Sequence, residues 1–269
     1  MSETASDDGI DFVEQGDGPA VLFVSGSFGT PAAWRGMWKR LPAGYRLVAT
    51  SILGYGATRE TRTPADLDMA HEVRVIGKAA ARIGAPVHLV GHSFGGTVAL
   101  VAALAGVAEI RSIATFEANP LALIREHGSE ELYERTRMMS LAFEAAHAGG
   151  ERDAAGRIID FWGGAGSFAA MPEVVQDYCR TTAGANVLDW RTAFAFAASK
   201  ADYARLDIPV LLVRGSAACQ EMATITDGLA ACLPNVRPAV VEGASHFLIT
   251  SHPDACAGLL ADFLGDLEG

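Results

Sequence analysis

The chain has 269 residues, is half hydrophobic and carries a formal net charge of -11. That length suits one large domain, or a domain with an insert, around a sizeable core. The acidic balance argues against nucleic acid and against anionic membranes as partners. Cys179, Cys219, Cys232 and Cys256 show neither metal-like spacing nor a pairing pattern. Residues 1–9 are polar and acidic without an apolar stretch, so they read as a frayed tail rather than a signal peptide. Reduced thiols in a cytoplasmic protein are the resulting expectation.

Residues 10–14 alternate weakly and suit a first edge strand, after which Gly16-Asp17-Gly18 turns the chain. Residues 20–24 form a short apolar run, a buried strand. It enters Ser25-Gly26-Ser27-Phe28-Gly29-Thr30, too rich in glycine to continue it. A short helix is expected over 31–40, with Thr30 as cap and Pro31 in the first turn. A strand over 46–51 leads into the turn Leu53-Gly54-Tyr55-Gly56. The apolar spacing of Leu67, Met69, Val73, Ile76, Ala80 and Ile83 predicts a helix over 65–83. Strands follow over 87–91 and 110–116. From 121 to 198 there is no strand, and helices are predicted over 129–147, 152–162, 172–182 and 187–198. Gly149-Gly150 and Gly163-Gly164-Ala165-Gly166 break the run. Alternation then returns: a strand over 208–214, a helix over 220–233, a strand over 236–241 and a closing helix over 254–267.

The stretch that organises the rest is Leu89-Val90-Gly91-His92-Ser93-Phe94-Gly95-Gly96-Thr97. It is an apolar strand that ends in Gly-x-Ser-x-Gly and runs into small and apolar residues suited to a helix. Such a turn is tight, strains the residue at its apex and needs small neighbours where backbones pass. Ser93 then presents its hydroxyl at a helix N-terminus, whose partial positive charge suits a developing oxyanion. Residues 87–110 are apolar enough to raise a membrane helix, but Pro86, His88, His92, Ser93 and the central glycines do not fit one continuous helix.

Strands alternating with helices imply a mostly parallel sheet covered on both faces, with ligands beyond the carboxyl ends of the strands. Ser25 to Phe28, Ser93, Glu117 and His246 all follow predicted strands, so they share one rim. The helical stretch leaves the same rim after Glu117 and is expected to roof it. The expected division is a core of residues 10–119 and 200–269 with a cap of residues 120–199. With Ser25-Gly26-Ser27-Phe28-Gly29, Gly54-Tyr55-Gly56, Gly91-His92-Ser93-Phe94-Gly95-Gly96 and Gly243-Ala244-Ser245-His246-Phe247 each after a strand, the chain resembles an α/β-hydrolase with a helical cap. The likeness covers nearly the whole chain.

A serine hydroxyl needs a base, and the base needs an orienting group. The resemblance implies His246 as the base; His92 reads as structural, pointing away from Ser93. The commonest family pattern places an Asp shortly after the strand read over 208–214, but Gly215-Ser216-Ala217-Ala218-Cys219-Gln220 holds no carboxylate. Some relatives, among them certain haloalkane dehalogenases and zearalenone lactonases, carry a Glu after the preceding strand instead. That likeness points to Glu117, with Glu221 and Asp227 as alternatives or the acid missing altogether. The oxyanion donors are expected at the Phe94 amide and at Ser27, through its main chain or its side chain. Gly26, Phe28, Leu121 and Trp190 are expected to line the pocket, Trp190 equally suiting the cap's own core. Arg125, Arg135 and Arg137 are candidates for binding a carboxylate, although helical arginines are more often solvated.

The function so implied is a cofactor-independent serine hydrolase acting on a small neutral apolar ester or lactone. No metal constellation and no phosphate-binding glycine pattern is present in the sequence. Carbon–carbon hydrolysis or perhydrolysis at the same site, and a capped-pocket ligand-binding protein, are the alternatives. A dehalogenase or epoxide hydrolase is disfavoured, because those chemistries use an Asp where this chain has Ser93. A homodimer is left open by the sequence.

Overall fold

The computed structural model describes residues 2–3 and 9–269. The frayed tail expected over residues 1–9 therefore lies mostly outside the described residues. In chain order the elements are β1 (Ser2–Glu3), β2 (Val13–Gln15), β3 (Ala20–Val24), a 3-10 turn (Pro31–Trp34) running into α1 (Arg35–Trp38), β4 (Arg46–Thr50), α2 (Ala70–Ile83), β5 (Val87–His92), α3 (Phe94–Ala105) and β6 (Ile110–Phe116). A π turn (Ile124–Gly128) precedes α4 (Glu130–Ala148), α5 (Gly156–Gly163), α6 (Ser167–Ala170), α7 (Glu173–Ala195) and α8 (Lys200–Tyr203). The chain closes with β7 (Val210–Gly215), α9 (Gln220–Ala230), β8 (Val236–Val241), α10 (Leu248–Ser251) and α11 (Pro253–Glu268).

The strands form one eight-stranded sheet in the order β1-β2-β4-β3-β5-β6-β7-β8. Pairings from β4 through β8 are parallel, and β2 pairs antiparallel with both β1 and β4 at one edge. Successive side chains on a strand face opposite ways, so the apolar runs feed two cores. Leu22, Leu89, Ile113 and Leu212 pack beneath α2, α3 and the helical stretch. Phe23, Val90, Phe116 and Val213 pack on Trp34, Trp38 and α11. The stretch 87–110 weighed as a membrane helix is thus β5, α3 and the turn that leads into β6. No described helix is long and apolar enough to cross a membrane.

Several elements differ from the sequence expectation: the first strand is Val13–Gln15, the helix expected over 31–40 is two short turns ending at Trp38, the helix expected over 152–162 is Gly156–Gly163, and two further differences have a clear local cause. The helices predicted over 172–182 and 187–198 are one helix, α7. Gly184 keeps helical geometry there, and Asn186 turns its amide onto Asp189 three residues on at 3.4 Å, so the polar residues serve the helix instead of ending it. The helix expected from 65 begins at Ala70, because Thr63 and Asp66 pair with each other and the Asp68 carboxylate accepts the Ala70 amide at 2.8 Å.

Candidate active site

The turn from β5 into α3 is built from the residues that small neighbours allow. Ser93 holds φ 53°, a conformation that side-chain-bearing residues rarely adopt. A Cβ on Gly91 would come within 2.6 Å of the Gly95 carbonyl oxygen, and one on Gly95 within 2.4 Å of the Ser25 carbonyl oxygen. Only glycine lets the helix, the strand and the Ser25 loop pass at these distances. Phe28 (φ 59°) and Glu117 (φ 53°) are the other described non-glycine residues with positive φ, so all three strained positions stand just past the ends of β3, β5 and β6.

Glu117 is the residue after β6. Its amide donates to the Val213 carbonyl at 2.8 Å, which fixes the turn, and its side chain is fully buried. One carboxylate oxygen accepts the Gly215 amide at 2.8 Å and the other accepts His246 Nδ1 at 2.7 Å. With the proton on Nδ1, Nε2 is left as an acceptor, and the Ser93 hydroxyl lies 3.0 Å from it. Ser93, His246 and Glu117 are brought together from three strand ends, with both ring nitrogens engaged. Glu221 is elsewhere: it is ion-paired to Arg135 at 2.5 Å, and Asp227 is exposed on α9. Arg137 and Arg125 are taken up by Glu134 and Glu130, so none of the three arginines faces the pocket.

His92 departs from its expected direction. Because the chain turns left-handed at Ser93 instead of continuing extended, the His92 ring borders the same cavity as Ser93, 5.0 Å from the His246 ring. Its Nε2 donates to the His246 carbonyl at 2.9 Å, holding the backbone of that loop. Burial first, and the neighbouring His246 second, push the His92 imidazole down to about 3, so it remains neutral beside its partner. Trp162 of α5 stacks on the His246 ring at 5.3 Å and 27°. Trp190 stacks on Trp162 at 5.9 Å and 10°, and Phe194 on Trp190. Trp190 therefore belongs both to the pocket and to the packing of the helical stretch. Trp162 had no sequence signal beyond an apolar position in a helix.

A cavity of about 730 Å³ opens over Ser93. Gly26, Ser27, Phe28, Phe94, Leu121, Trp190 and His246 border it, while Glu117 stands behind His246. Ile158, Ile159 and Trp162 of α5 and Val175, Trp190 and Ala193 of α7 supply much of its apolar wall. Among the described residues no Lys or Arg borders it. Phe94 opens α3, where the first amides have no intrahelical acceptor. Ser27 has no backbone hydrogen bond from its amide among the described residues, and its hydroxyl donates to Asp189 at 2.6 Å. That bond occupies the single hydroxyl proton, which removes the side chain as an oxyanion donor and leaves the main chain.

Asp189 belongs to a buried polar group that the sequence did not reveal. It accepts from the Tyr55 hydroxyl at 2.7 Å and from Arg62 Nη2 at 2.8 Å. Arg62, itself fully buried, also meets Glu60 at 2.7 Å and Glu72 at 3.1 Å. Burial pushes Glu72 up to about 8, and it pushes Asp189 above the usual carboxylate range against the pull of Arg62 and the hydroxyl donors.

Comparison with known proteins agrees with this geometry at the level of family and fold. The family model described as "Alpha/beta hydrolase family" matches residues 21–259. An "Epoxide hydrolase" from Caballeronia sordidicola is 39% identical over 97 residues, which are 34% of this chain and 28% of that protein. This chain thus aligns with under a third of that relative's length. Among solved structures, an alpha/beta hydrolase from Sphaerobacter thermophilus DSM 20745 superposes with TM-score 0.75 at 24% identity, covering 98% of this chain and all of that one (100%). A bromoperoxidase from Bacillus anthracis superposes with TM-score 0.72 at 21% identity, covering 96% of this chain and 95% of that one. At these identities the two structures speak for the fold alone.

Proposed function

The chain belongs to the alpha/beta hydrolase family, and on that premise we propose that it is a serine hydrolase cleaving a neutral carboxylic ester or lactone through an acyl-enzyme. The observation that supports this most is the continuous path Glu117–His246–Ser93, with contacts of 2.7 and 3.0 Å, under a largely apolar cavity. In this reading His246 Nε2 takes the Ser93 proton as Oγ attacks the carbonyl carbon, and Glu117 holds the imidazolium. The amides of Phe94 and Ser27 receive the oxyanion. His246 returns the proton to the departing alkoxide, and water, deprotonated by the same nitrogen, releases the acid. Residues 120–199 act as the cap over the core of residues 10–119 and 200–269.

The wall favours a neutral substrate: among the described residues no Lys or Arg borders the cavity to balance a carboxylate. The chemistry of the nucleophile separates this reading from the epoxide opening that one relative's name describes. A carboxylate attacking an epoxide gives an ester, which water can hydrolyse. A serine hydroxyl would give an ether, which this set of groups cannot cleave.

The test is a panel of p-nitrophenyl esters, lactones and diketones assayed with the wild type and Ser93→Ala, together with labelling by a fluorophosphonate. Ester or lactone turnover and labelling are expected in the wild type, both lost in Ser93→Ala. Turnover of diketones alone would transfer the site to carbon–carbon hydrolysis. Turnover that survives Ser93→Ala, or no labelling of the folded wild type, overturns the reading.

A further inference from the structure

The helical stretch does more than roof the cavity: one of its carboxylates reaches the loop that carries an oxyanion donor. We propose that Asp189 is a positioning residue that holds the Ser27 segment against Ser93, so that the oxyanion site is complete only while α7 is seated on the core. This rests on the Ser93 hydrolase reading above.

The segment from Ser25 to Gly29 is fastened at both ends. The Ser25 amide donates to the Thr50 carbonyl at 3.1 Å, Trp34 Nε1 donates to the Ser25 hydroxyl at 3.2 Å, and the Gly29 amide closes on the Gly26 carbonyl at 2.9 Å. Its middle packs directly on the nucleophile, since a Cβ on Gly26 would lie 2.9 Å from Ser93 Cβ. Ser27 and Phe28, between the fastened ends, are steadied from outside the loop. Ser27 donates its hydroxyl to Asp189, and Phe28, strained at φ 59°, packs edge-on against the Tyr55 ring at 6.0 Å. Tyr55 is in turn fixed by its own hydroxyl on Asp189. Both residues are therefore referred to one carboxylate, Ser27 directly through its hydroxyl and Phe28 through the Tyr55 ring. A shift of that carboxylate moves the Ser27 amide relative to Ser93, and oxyanion donors act only when placed to within a few tenths of an ångström.

Stability alone is a poor reason for the arrangement. A buried carboxylate–guanidinium pair often contributes no more than an apolar replacement of the same volume. Every side chain meeting Asp189 donates: Ser27, Tyr55, Arg62 and, at 3.4 Å, the Asn186 amide. That is the environment of a fixed anion with both oxygens used. Arg62 holds the carboxylate from the side away from Ser27, anchored through Glu60 and Glu72 to the loop after β4 and to α2.

Ser27→Ala removes the link without touching Arg62 or Glu72, and Asp189→Asn removes its other end. With p-nitrophenyl butyrate, Ser27→Ala is expected to lower kcat roughly tenfold to a hundredfold while KM stays within about twofold, the signature of an interaction made in the transition state. Affinity for butaneboronic acid, a tetrahedral mimic, falls by the same factor. The double variant loses no more than Asp189→Asn alone, because both changes cut one connection. A wild-type kcat in Ser27→Ala, or losses that multiply in the double variant, overturns the proposal. Hydrogen exchange reads the same link without turnover. Amides of residues 26–28 exchange about tenfold faster or more in Ser27→Ala and in Asp189→Asn, while β5 is unchanged. Unchanged exchange in Ser27→Ala overturns the proposal even if Asp189→Asn does not fold. Faster exchange in a protein that shows no Ser93-dependent chemistry leaves the clamp standing and overturns the hydrolase reading instead.

Discussion

Glu117 faces His246 with one oxygen and the Gly215 amide with the other, so its two jobs separate on substitution. Glu117→Gln retains an oxygen for Gly215 but can no longer hold the Nδ1 proton as a carboxylate does. A fall in kcat of about 10³- to 10⁴-fold is expected, with a melting temperature close to that of the wild type. Trp162→Leu acts more mildly. The imidazole loses the ring that lies over it, and a drop of about tenfold in kcat is expected with the hydroxyl still labelled by fluorophosphonate. Single residues differed in how far sequence could reach them. That Ser93, His246 and Glu117 share one rim is legible because each follows a strand and a parallel sheet gathers strand ends, while the roles expected of His246 and Glu117 came from the resemblance to α/β-hydrolases. Asp189 is not legible, because its meaning lies in partners 162, 134 and 127 residues away that no local pattern connects. His92 was misread for a local reason: alternation assigns direction only while the backbone is extended, and it ceases to be so at Ser93.

Among the elements, the turn between β5 and α3 tolerates least. Gly95→Ala would drive a methyl into the Ser25 and Val24 carbonyls at 2.4 and 2.7 Å, backbone that belongs to the sheet and cannot swing aside. A loss of about 3 kcal/mol is expected, a fall in melting temperature of roughly 10 °C, measurable by circular dichroism. Strands were placed well by their composition, β3, β6 and β8 to the residue: β3 is a fully buried apolar run, β6 is buried from its third residue on, and β8, largely uncovered at the sheet edge, is marked by its three valines. Helices between β6 and β7 were harder. Their apolar sides face one another and a cavity instead of the sheet, and residues 183–186 were left as a gap in what is one continuous helix. The short α6, α8 and α10 carry too few residues for a period to show.

For the molecule as a whole, buried ionisable groups set a pH window. Glu72 rises from an ordinary value of 4.5 to about 8, so between those limits the folded chain keeps a proton that the unfolded chain releases, and stability declines as pH rises. His92 falls from 6.5 to about 3, so acidification below 6.5 favours the unfolded chain, which takes up the proton first. The two effects oppose each other in the overlap, and above pH 6.5 only the Glu72 slope remains. The melting temperature of the wild type is therefore expected to drop relative to Glu72→Gln from pH 6.5 to 8, and the gap to stay constant beyond about pH 9. A gap that does not change across that interval would assign Glu72 an ionised state throughout. The sheet order has a consequence for biosynthesis. From β6 onward each strand is laid down beside the one made just before it, so on the proposed reading the nucleophile and its carboxylate leave the ribosome ahead of the base. A nascent polypeptide arrested ahead of β7 would hold Ser93 without its proton acceptor, and should ignore fluorophosphonate until the last segments emerge. On the proposed reading, an unfinished chain would then carry no reactive hydroxyl.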